Sequence, residues 1–249
     1  MHNIQKIMGL LLLLLVVFGL QVHAVAKDES YKVIGHAELK AKTDADLRNF
    51  LLVDSRNPEE FREAHIPGAV NIPQKNMDRL LGLFPADKST QIIFYCNGVK
   101  CGKSKKAAQK AIQLGYTNIL VYSEGMPVWE EIGYSFYKGV DYEKKIEITK
   151  VGPLELKKIM DNDPDNITVV DVRDPEEFVE GHIPGAINLP LKNFAFGSGV
   201  LDKKKKIVVY CNSGGRSYGA YRKLMKLGYK QINQAIFADW KEADLPVQG

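Results

Sequence analysis

The sequence predicts an α/β protein with two tandem domains, each an open, mostly parallel β-sheet flanked by helices. Two observations point to this fold: a long segment recurs at a fixed offset, and strand and helix signals alternate within each copy. A third is the run KIVVYC at 206–211, whose two faces are both apolar, as in the central strand of a covered parallel sheet.

The repeat is strongest where residues 54–73 (DSRNPEEFREAHIPGAVNIP) align with residues 171–190 (DVRDPEEFVEGHIPGAINLP). The two segments are identical at 14 of 20 positions, without a gap, at an offset of 117. Further along, IIFYCNG at 92–98 matches IVVYCNS at 207–213. Self-similarity on this scale indicates a tandem duplication of one folding unit.

The chain divides into three predicted segments. Residues 1–26 are predicted to be a signal peptide, because their apolar core of 14 residues is short for a membrane span and small residues follow it. We therefore expect an exported protein with no stable membrane insertion, periplasmic if the source is Gram-negative; an uncleaved anchor is the alternative. The domains are placed at 27–140 and 141–249, with the polar stretch 138–150 as the join.

The composition excludes several classes of protein. The 249 residues are 45% hydrophobic and 26% charged, which is typical of a globular chain and not of a disordered one. The formal net charge is +4, and the lysines alternate with acidic residues, so nucleic-acid binding is not expected. Three cysteines are the wrong number for a disulfide framework in an exported chain of this size.

In the second unit, strand signals at 167–172 and 206–211 alternate with helix signals at 174–182 and 217–229. The first helix has Pro in its first turn and acidic residues near its N-terminus. Ligands of such sheets bind beyond the carboxyl ends of the strands, which is where a cysteine-containing loop lies in both units.

A short Gly-rich loop follows Cys211 before the next helix. Backbone N–H groups in such a strand–turn–helix can turn inward and form an anion cradle, which lowers the pKa of a thiol placed there. Arg216 adds a positive charge and a fork of donors, and no separate general base is needed. A buried structural cysteine is the alternative. The predicted substrate-binding residues of this loop are Asn212, Ser213, Gly214, Gly215, Arg216 and Ser217.

The spacing of Asp171, Arg173 and Glu177, followed by GHIPGAINLP and YCNSGGRS, resembles the rhodanese (sulfurtransferase) domain. The resemblance covers nearly all of the chain after residue 26, as two domains. It implies that Cys211 takes the outer sulfur of thiosulfate or a similar small anion, releases sulfite, and passes sulfur from a persulfide to cyanide or a thiol. A protein acceptor is a further option, and no cofactor is expected. The loop amides would stabilise the anions formed.

Loop length separates this chemistry from phosphate chemistry. Related folds with five residues between Cys and Arg resemble dual-specificity phosphatases, whereas four residues separate Cys211 from Arg216. The shorter loop favours sulfur transfer.

The loop of the first unit, CNGVKCGKS, departs from this pattern. Six residues separate Cys96 from Lys103, Lys replaces Arg, and Cys101 lies between them. Lys103 is predicted to bind the substrate through its charge, without a bidentate fork. Three hypotheses remain open here: a second sulfurtransferase site at Cys96, a redox-coupled site in which Cys101 is the partner, or a structural disulfide. A metal site is not expected, because two cysteines supply too few ligands.

Other polar residues are expected to support the loops rather than to react. His65 and His182 are interpreted as holding a helix-to-strand turn, and the segment before Trp240 is two residues shorter than that before Trp129. The predicted bracing residues are Asp54 with Arg56 and Asp171 with Arg173.

The sequence thus predicts a sulfurtransferase that works through a persulfide on Cys211. The alternative is a non-catalytic or partner-dependent sulfur carrier in which the first domain is a thiol-redox site.

Overall fold

The computed structural model describes residues 31–45 and 49–249, and the predicted signal peptide at 1–26 lies outside them. Two sheets of parallel strands, each flanked by helices, confirm the predicted fold class. The domain bounds at 27–140 and 141–249 stay predictions.

The first domain is a five-stranded parallel sheet in the order β1-β6-β5-β2-β4, with a small antiparallel pair formed by β3 and β7. Successive residues of its central strands face two separate apolar clusters, so both faces of the sheet are covered. Its strands are β1 (Lys32–Ile34), β2 (Phe50–Asp54), β3 (Ala64–His65), β4 (Val70–Asn71), β5 (Gln91–Tyr95), β6 (Ile119–Tyr122) and β7 (Tyr137–Lys138). Its helices are α1 (His36–Ala45), α2 (Pro58–Glu63), α3 (Lys103–Gln113) and α4 (Gly125–Glu131), with a 3₁₀ segment at Gln74–Leu83.

The second domain repeats this plan with the parallel order β11-β10-β8-β9. Lys150 forms a parallel bridge with Gln234, in the place that β1 occupies in the first sheet. Its strands are β8 (Ile167–Asp171), β9 (Ile187–Asn188), β10 (Lys206–Cys211) and β11 (Ile232–Ile236). Its helices are α5 (Pro153–Asn162), α6 (Pro175–Glu180), α7 (Phe194–Gly197), α8 (Gly215–Lys226) and α9 (Phe237–Glu242), with 3₁₀ turns at Pro164–Asn166, Leu191–Asn193 and Ser198–Val200.

The segment between the domains is more than a polar join. Ile146 and Ile148 pack against the apolar core of the second domain. The backbone N–H of Ile146 donates to the hydroxyl of Tyr218 at 2.9 Å, and the N–H of Thr149 donates to that of Tyr221 at 3.3 Å. The second half of the join therefore belongs to the second domain.

Glu131 connects the two domains. Its carboxylate, whose side chain is 4% exposed, accepts hydrogen bonds from the backbone N–H groups of Ala195 and Phe196 at 2.9 and 3.0 Å, and it pairs with Lys223. A buried carboxylate without such partners would cost several kcal/mol, so these donors make the contact favourable. The pairing fixes α4 of the first domain against α7 and α8 of the second.

Within residues 31–45 and 49–249, no helix has the length and apolar character needed to cross a membrane. Nor does that part of the chain hold a group of three or more His, Cys, Asp or Glu residues suited to a metal ion.

Gly125 sets the position of the first cysteine loop. Its φ of +76° lies in the left-handed region, and an added Cβ would lie 2.3 Å from the carbonyl oxygen of Cys96 and 2.4 Å from the nitrogen of Gly98. Gly133 has a similar φ of +84°, with nothing within 4 Å of its added Cβ.

We therefore expect Gly125→Ala to destabilise the protein by about 2–4 kcal/mol, because backbone overlap adds to the conformational strain. Gly133→Ala introduces the conformational strain without the overlap, and we expect it to lower the free energy of unfolding by about 1–2 kcal/mol. Chemical denaturation of both variants measures the difference, and equal losses would contradict the close packing.

Candidate active site

The sulfur of Cys211 lies in a cradle of donors between β10 and α8. Cys211 is 2% exposed, at the last position of β10. Its Sγ accepts hydrogen bonds from the backbone N–H groups of Gly214 at 3.1 Å and Ser217 at 3.4 Å. The hydroxyl of Ser217 lies 3.5 Å from the same sulfur. The loop therefore directs its dipoles at the thiol.

Gly214 makes this turn possible. Its φ of +103° lies in the left-handed region, and an added Cβ would lie 3.2 Å from Cδ1 of Ile236. The other predicted loop residues have supporting places: the carbonyl of Asn212 accepts the N–H of Ala238 at 3.2 Å, and Gly215 begins α8.

The loop stabilises the thiolate of Cys211. Burial is the largest single influence and raises the pKa of the thiol. Hydrogen bonds from the side chain and N–H of Ser217, and from the N–H groups of Gly214 and Ser213, act in the opposite direction and lower the pKa of Cys211 overall. A lowered pKa leaves more of the cysteine ionised at neutral pH, and the thiolate is its nucleophilic form.

Gln234, which sequence reasoning missed, organises the cradle from behind. It is 3% exposed, and its Nε2 donates to the carbonyl of Gly214 at 2.8 Å and to Oγ of Ser217 at 2.7 Å. The hydroxyl of Ser217 lies 3.2 Å from the carbonyl of Gly214 and 3.5 Å from the sulfur. Gln234 competes for that carbonyl, which favours donation of the Ser217 proton to sulfur. The equivalent residue in β6 is Val121, since Ile119 and Ile232 hold matching registers. β11 reads INQAI, so a glutamine in the strand that pairs with the Cys211 strand was the available signal.

Arg216 lies at the edge of the loop and is already paired with carboxylates. Its two terminal nitrogens contact both oxygens of Glu177, one of them at 2.8 Å, and Nη1 lies 3.5 Å from Asp174. Glu177 also accepts the N–H of Asp174 at 3.1 Å, which caps α6. Hydrogen bonding to Arg216 is the main cause that lowers the pKa of Glu177. The ion pair with Glu177 offsets much of the positive charge of Arg216, which was predicted to bind the sulfur donor.

A cleft of about 440 Å³ lies beside this loop. Arg216, Lys192 and Lys223 line it together with Val172, which packs in the same core cluster as Cys211. Glu131 and Asp174 supply acidic groups there, and Cys211 itself does not line the cleft. The cleft therefore carries charges of both signs next to the Cys211 loop.

In each domain, the predicted bracing residues form a buried ion pair with each other. In the second domain, the guanidinium of Arg173 binds both oxygens of Asp171 and donates to the carbonyl of Gly181 at 2.6 Å. Asp54 and Arg56 are arranged in the same way, with the contact made to the carbonyl of Ala64 at 2.6 Å.

The two histidines of the HIPGA segments lie where turn-holding residues are expected. His65 Nδ1 lies 2.8 Å from the carbonyl of Phe61, and His182 Nδ1 lies 2.8 Å from that of Phe178. The ring of His65 also stacks on Phe61, and the ring of His182 stacks on Phe178.

The first domain holds an altered version of this loop. Cys96 is 1% exposed, and its Sγ lies 3.2 Å from Oγ of Ser104, the counterpart of Ser217. Lys103 pairs with Glu60 at 3.1 Å, as Arg216 pairs with Glu177. Cys101 is half-buried, and all three cysteines are free thiols.

The pKa values of the two thiols in this loop are shifted in opposite directions. A hydrogen bond with Cys101, together with burial, raises the pKa of Cys96 well above its usual range. The hydrogen bond with Cys96, the N–H groups of Lys103 and Asn97, and the charge of Lys103 overcome burial and lower the pKa of Cys101 to about 6. The thiolate of the pair therefore resides on Cys101.

Comparison with known proteins adds the family. The Rhodanese family, described as a rhodanese-like domain, matches residues 36–132 and 152–240. The chain belongs to the rhodanese-like domain family and carries the domain twice, as the repeat predicted.

Two curated relatives each match about one domain. A protein of Allochromatium vinosum named "Sulfurtransferase" is 35% identical over 88 residues, which are 34% of this chain and 81% of that protein. The thiosulfate sulfurtransferase PspE of Escherichia coli is 40% identical over 68 residues, which are 26% of this chain and 65% of PspE, just under two thirds. The family match and these relatives support sulfur transfer in general.

Among solved structures, a thiosulfate sulfurtransferase from Pseudomonas aeruginosa is 20% identical to this chain, with a TM-score of 0.39. The alignment covers 87% of this chain and 43% of the Pseudomonas chain, so this chain spans less than half of that protein.

We predict that Gln234→Leu raises the pKa of Cys211, because the hydroxyl proton of Ser217 is then drawn to the carbonyl of Gly214. In a variant that lacks Cys96 and Cys101, the pH profile of iodoacetamide alkylation should move to higher pH. Gln231→Leu is the matched control, since Gln231 is exposed and its side chain, within the described residues, donates to the carbonyl of Lys204 and not to the Cys211 loop. An unchanged profile for Gln234→Leu would show that Gln234 does not tune the thiol.

Proposed function

We propose that the protein is a sulfurtransferase that takes sulfane sulfur from a small anionic donor, such as thiosulfate, as a persulfide on Cys211. The Cys211 thiolate attacks the outer sulfur, the sulfur–sulfur bond of the donor breaks, and sulfite leaves with the electron pair. A thiol or cyanide then attacks the outer sulfur of the persulfide, and the Cys211 thiolate is restored. No oxidant is consumed.

The observation that carries the proposal is the set of N–H groups that donate to Sγ of Cys211. The amides of Gly214 and Ser217 already bind this sulfur, and Ser213 contributes another N–H. Preorganised donors of this kind stabilise an anion without reorganisation during the reaction. A persulfide anion that extends from the same atom would remain within the turn.

The cleft beside the loop favours an anionic donor. Arg216, Lys192 and Lys223 line it. Arg216 is paired with Glu177 and Lys223 with Glu131, so Lys192 is the lining cation that forms no ion pair within the described residues. The cations would attract an oxyanion such as thiosulfate, and the acids would limit how tightly it is held.

A partner-dependent sulfur carrier is the second candidate. Cys211 is 2% exposed and does not line the neighbouring cleft, so the loop has to open before a donor reaches sulfur. The wall before α9 is also short, because Phe237 directly follows β11, whereas Ser123 and Glu124 separate β6 from α4 in the first domain. A partner protein could supply the missing wall.

Replacement of the nucleophile tests the first candidate. In a chain that already carries Cys101→Ser, we expect Cys211→Ser to lower thiosulfate-dependent thiocyanate formation by on the order of a thousandfold, because serine is a poor nucleophile without a general base. Cys96→Ser is the matched control in the equivalent loop position and should retain the activity. Equal activity of Cys211→Ser and its Cys101→Ser parent would overturn the assignment.

Mass spectrometry of the intact protein isolated from cells separates the two candidates. A carrier shows an addition of one sulfur, about 32 Da, on Cys211 and no turnover with small donors; turnover without any partner removes the reason to propose a carrier.

We expect the rate of thiosulfate consumption to depend on pH through the lowered pKa of Cys211. The thiolate fraction rises with pH through the folded-state pKa, so thiosulfate consumption should level off below about pH 8.5, where an ordinary cysteine titrates. Ser217→Ala removes one donor and should move the profile to higher pH, whereas an unmoved profile would show that Ser217 does not stabilise the thiolate.

Export is part of the proposal and rests on the pattern of residues 1–26. N-terminal sequencing of the protein from its source should give a new terminus after Ala24 or Ala26. An intact N-terminus in membrane fractions would favour an anchor.

A further inference from the structure

A cavity of about 300 Å³ lies between the domains, next to the first cysteine loop. Asn97, Lys100 and Cys101 of the first domain form one side, and Phe196, Lys203 and Tyr229 of the second domain form the other. Neither domain makes this site alone, because each supplies one of its two lysines.

Cys101 is the thiol that reaches the cavity. It is half-buried and belongs to the cavity wall, whereas Cys96 is 1% exposed, does not line the cavity, and is held against Ser104. Alignment of the repeats pairs Cys96 with Cys211 and therefore predicts the wrong sulfur for chemistry in this cavity.

The charge of the cavity favours an anion. Lys100 donates to the carbonyl of Leu201, and Lys203 donates to the carbonyl of Leu227. Across residues 31–45 and 49–249, neither lysine forms an ion pair with a carboxylate. Glu124 also lines the cavity, and its carboxylate accepts the N–H of His36 and contacts Nδ1 of the same residue, both at 2.8 Å. Among the residues that line the cavity, two lysines therefore face one carboxylate.

We propose that this interdomain cavity binds small anionic compounds that contain a sulfur–sulfur bond, and that Cys101 is the nucleophile that attacks them. The Cys101 thiolate forms a bond to one sulfur of the ligand. The sulfur–sulfur bond of the ligand breaks, and the other half leaves as a thiolate or as sulfite with the electron pair. Cys101 is left as a mixed disulfide with an organic ligand, or as a persulfide with thiosulfate.

The electrostatics of the loop agree with this assignment. Hydrogen bonding to Cys96 is the first cause that lowers the pKa of Cys101, and the charge of Lys103 acts in the same direction. Cys96 is therefore a positioning residue for Cys101. The site uses a different sulfur, a different loop and a different cavity from those of Cys211, and it does not require the proposed activity there.

The test uses the two-domain chain with Cys96→Ser and Cys211→Ser, so that Cys101 is its only thiol. Serine keeps an O–H donor beside Cys101, and activity at Cys211 cannot contribute. The probes are two disulfides of similar size: dithiodiglycolate, which carries two carboxylates, and bis(2-hydroxyethyl) disulfide, which is neutral. Mass spectrometry of the intact protein follows adduct formation on Cys101.

We expect Lys203→Gln to slow the reaction with dithiodiglycolate by roughly 3- to 10-fold, since a half-buried lysine contributes about 1 kcal/mol to binding an anion. The reaction with the neutral disulfide should change by less than about twofold, which also shows that the variant is folded. The matched control is Lys204→Gln, next in the chain, because Lys204 is exposed and does not line the cavity.

Thiosulfate forms a second arm of the same experiment. Addition of about 32 Da to Cys101 would identify inorganic sulfane sulfur as a ligand, and reaction with dithiodiglycolate alone would restrict the site to organic anions; both support the proposal. An equal effect of Lys203→Gln on the two disulfides, or an equal effect of Lys204→Gln, would overturn it.

Discussion

The amides of the loop between β10 and α8 hold the sulfur of Cys211 by hydrogen bonds. They require β10 to end at Cys211, α8 to begin at Gly215, and Gly214 to turn through the left-handed region between them. Burial alone would favour the neutral thiol. The cradle reverses that preference, and Gln234 competes with the hydroxyl of Ser217 for the carbonyl of Gly214.

The two domains contain two versions of one cysteine loop, and the thiol whose pKa is lowered lies at a different loop position in each. Both keep the buried Asp–Arg brace, the turn-holding histidine, and a carboxylate that pairs with the loop cation. The first loop is two residues longer and contains Cys101, which carries the thiolate in place of the aligned Cys96. The second domain contributes Lys203 to the cavity beside that loop. The shape of this cavity therefore depends on the orientation of the two domains, which Glu131 helps to fix.

Much of the fold was predictable because it depends on local and repeated signals. The strand at 206–211 was predicted to its ends, since a buried apolar run is bounded by lysines and a Gly-rich turn. The pairing of Arg216 with Glu177 and the role of Gln234 were not predicted, because they depend on which side chains the topology brings together. The docking of Ile146 and Ile148 was hidden within a polar segment for the same reason.

The proposed persulfide places the donor's sulfur on Cys211 within the amide cradle. The most direct measurement is to incubate the protein with thiosulfate labelled in its outer sulfur and to map the label after proteolysis without reductant. We expect label on the peptide that contains Cys211, with one equivalent of sulfite released for each sulfur bound. Sulfite release with the label absent from that peptide would overturn the assignment of Cys211.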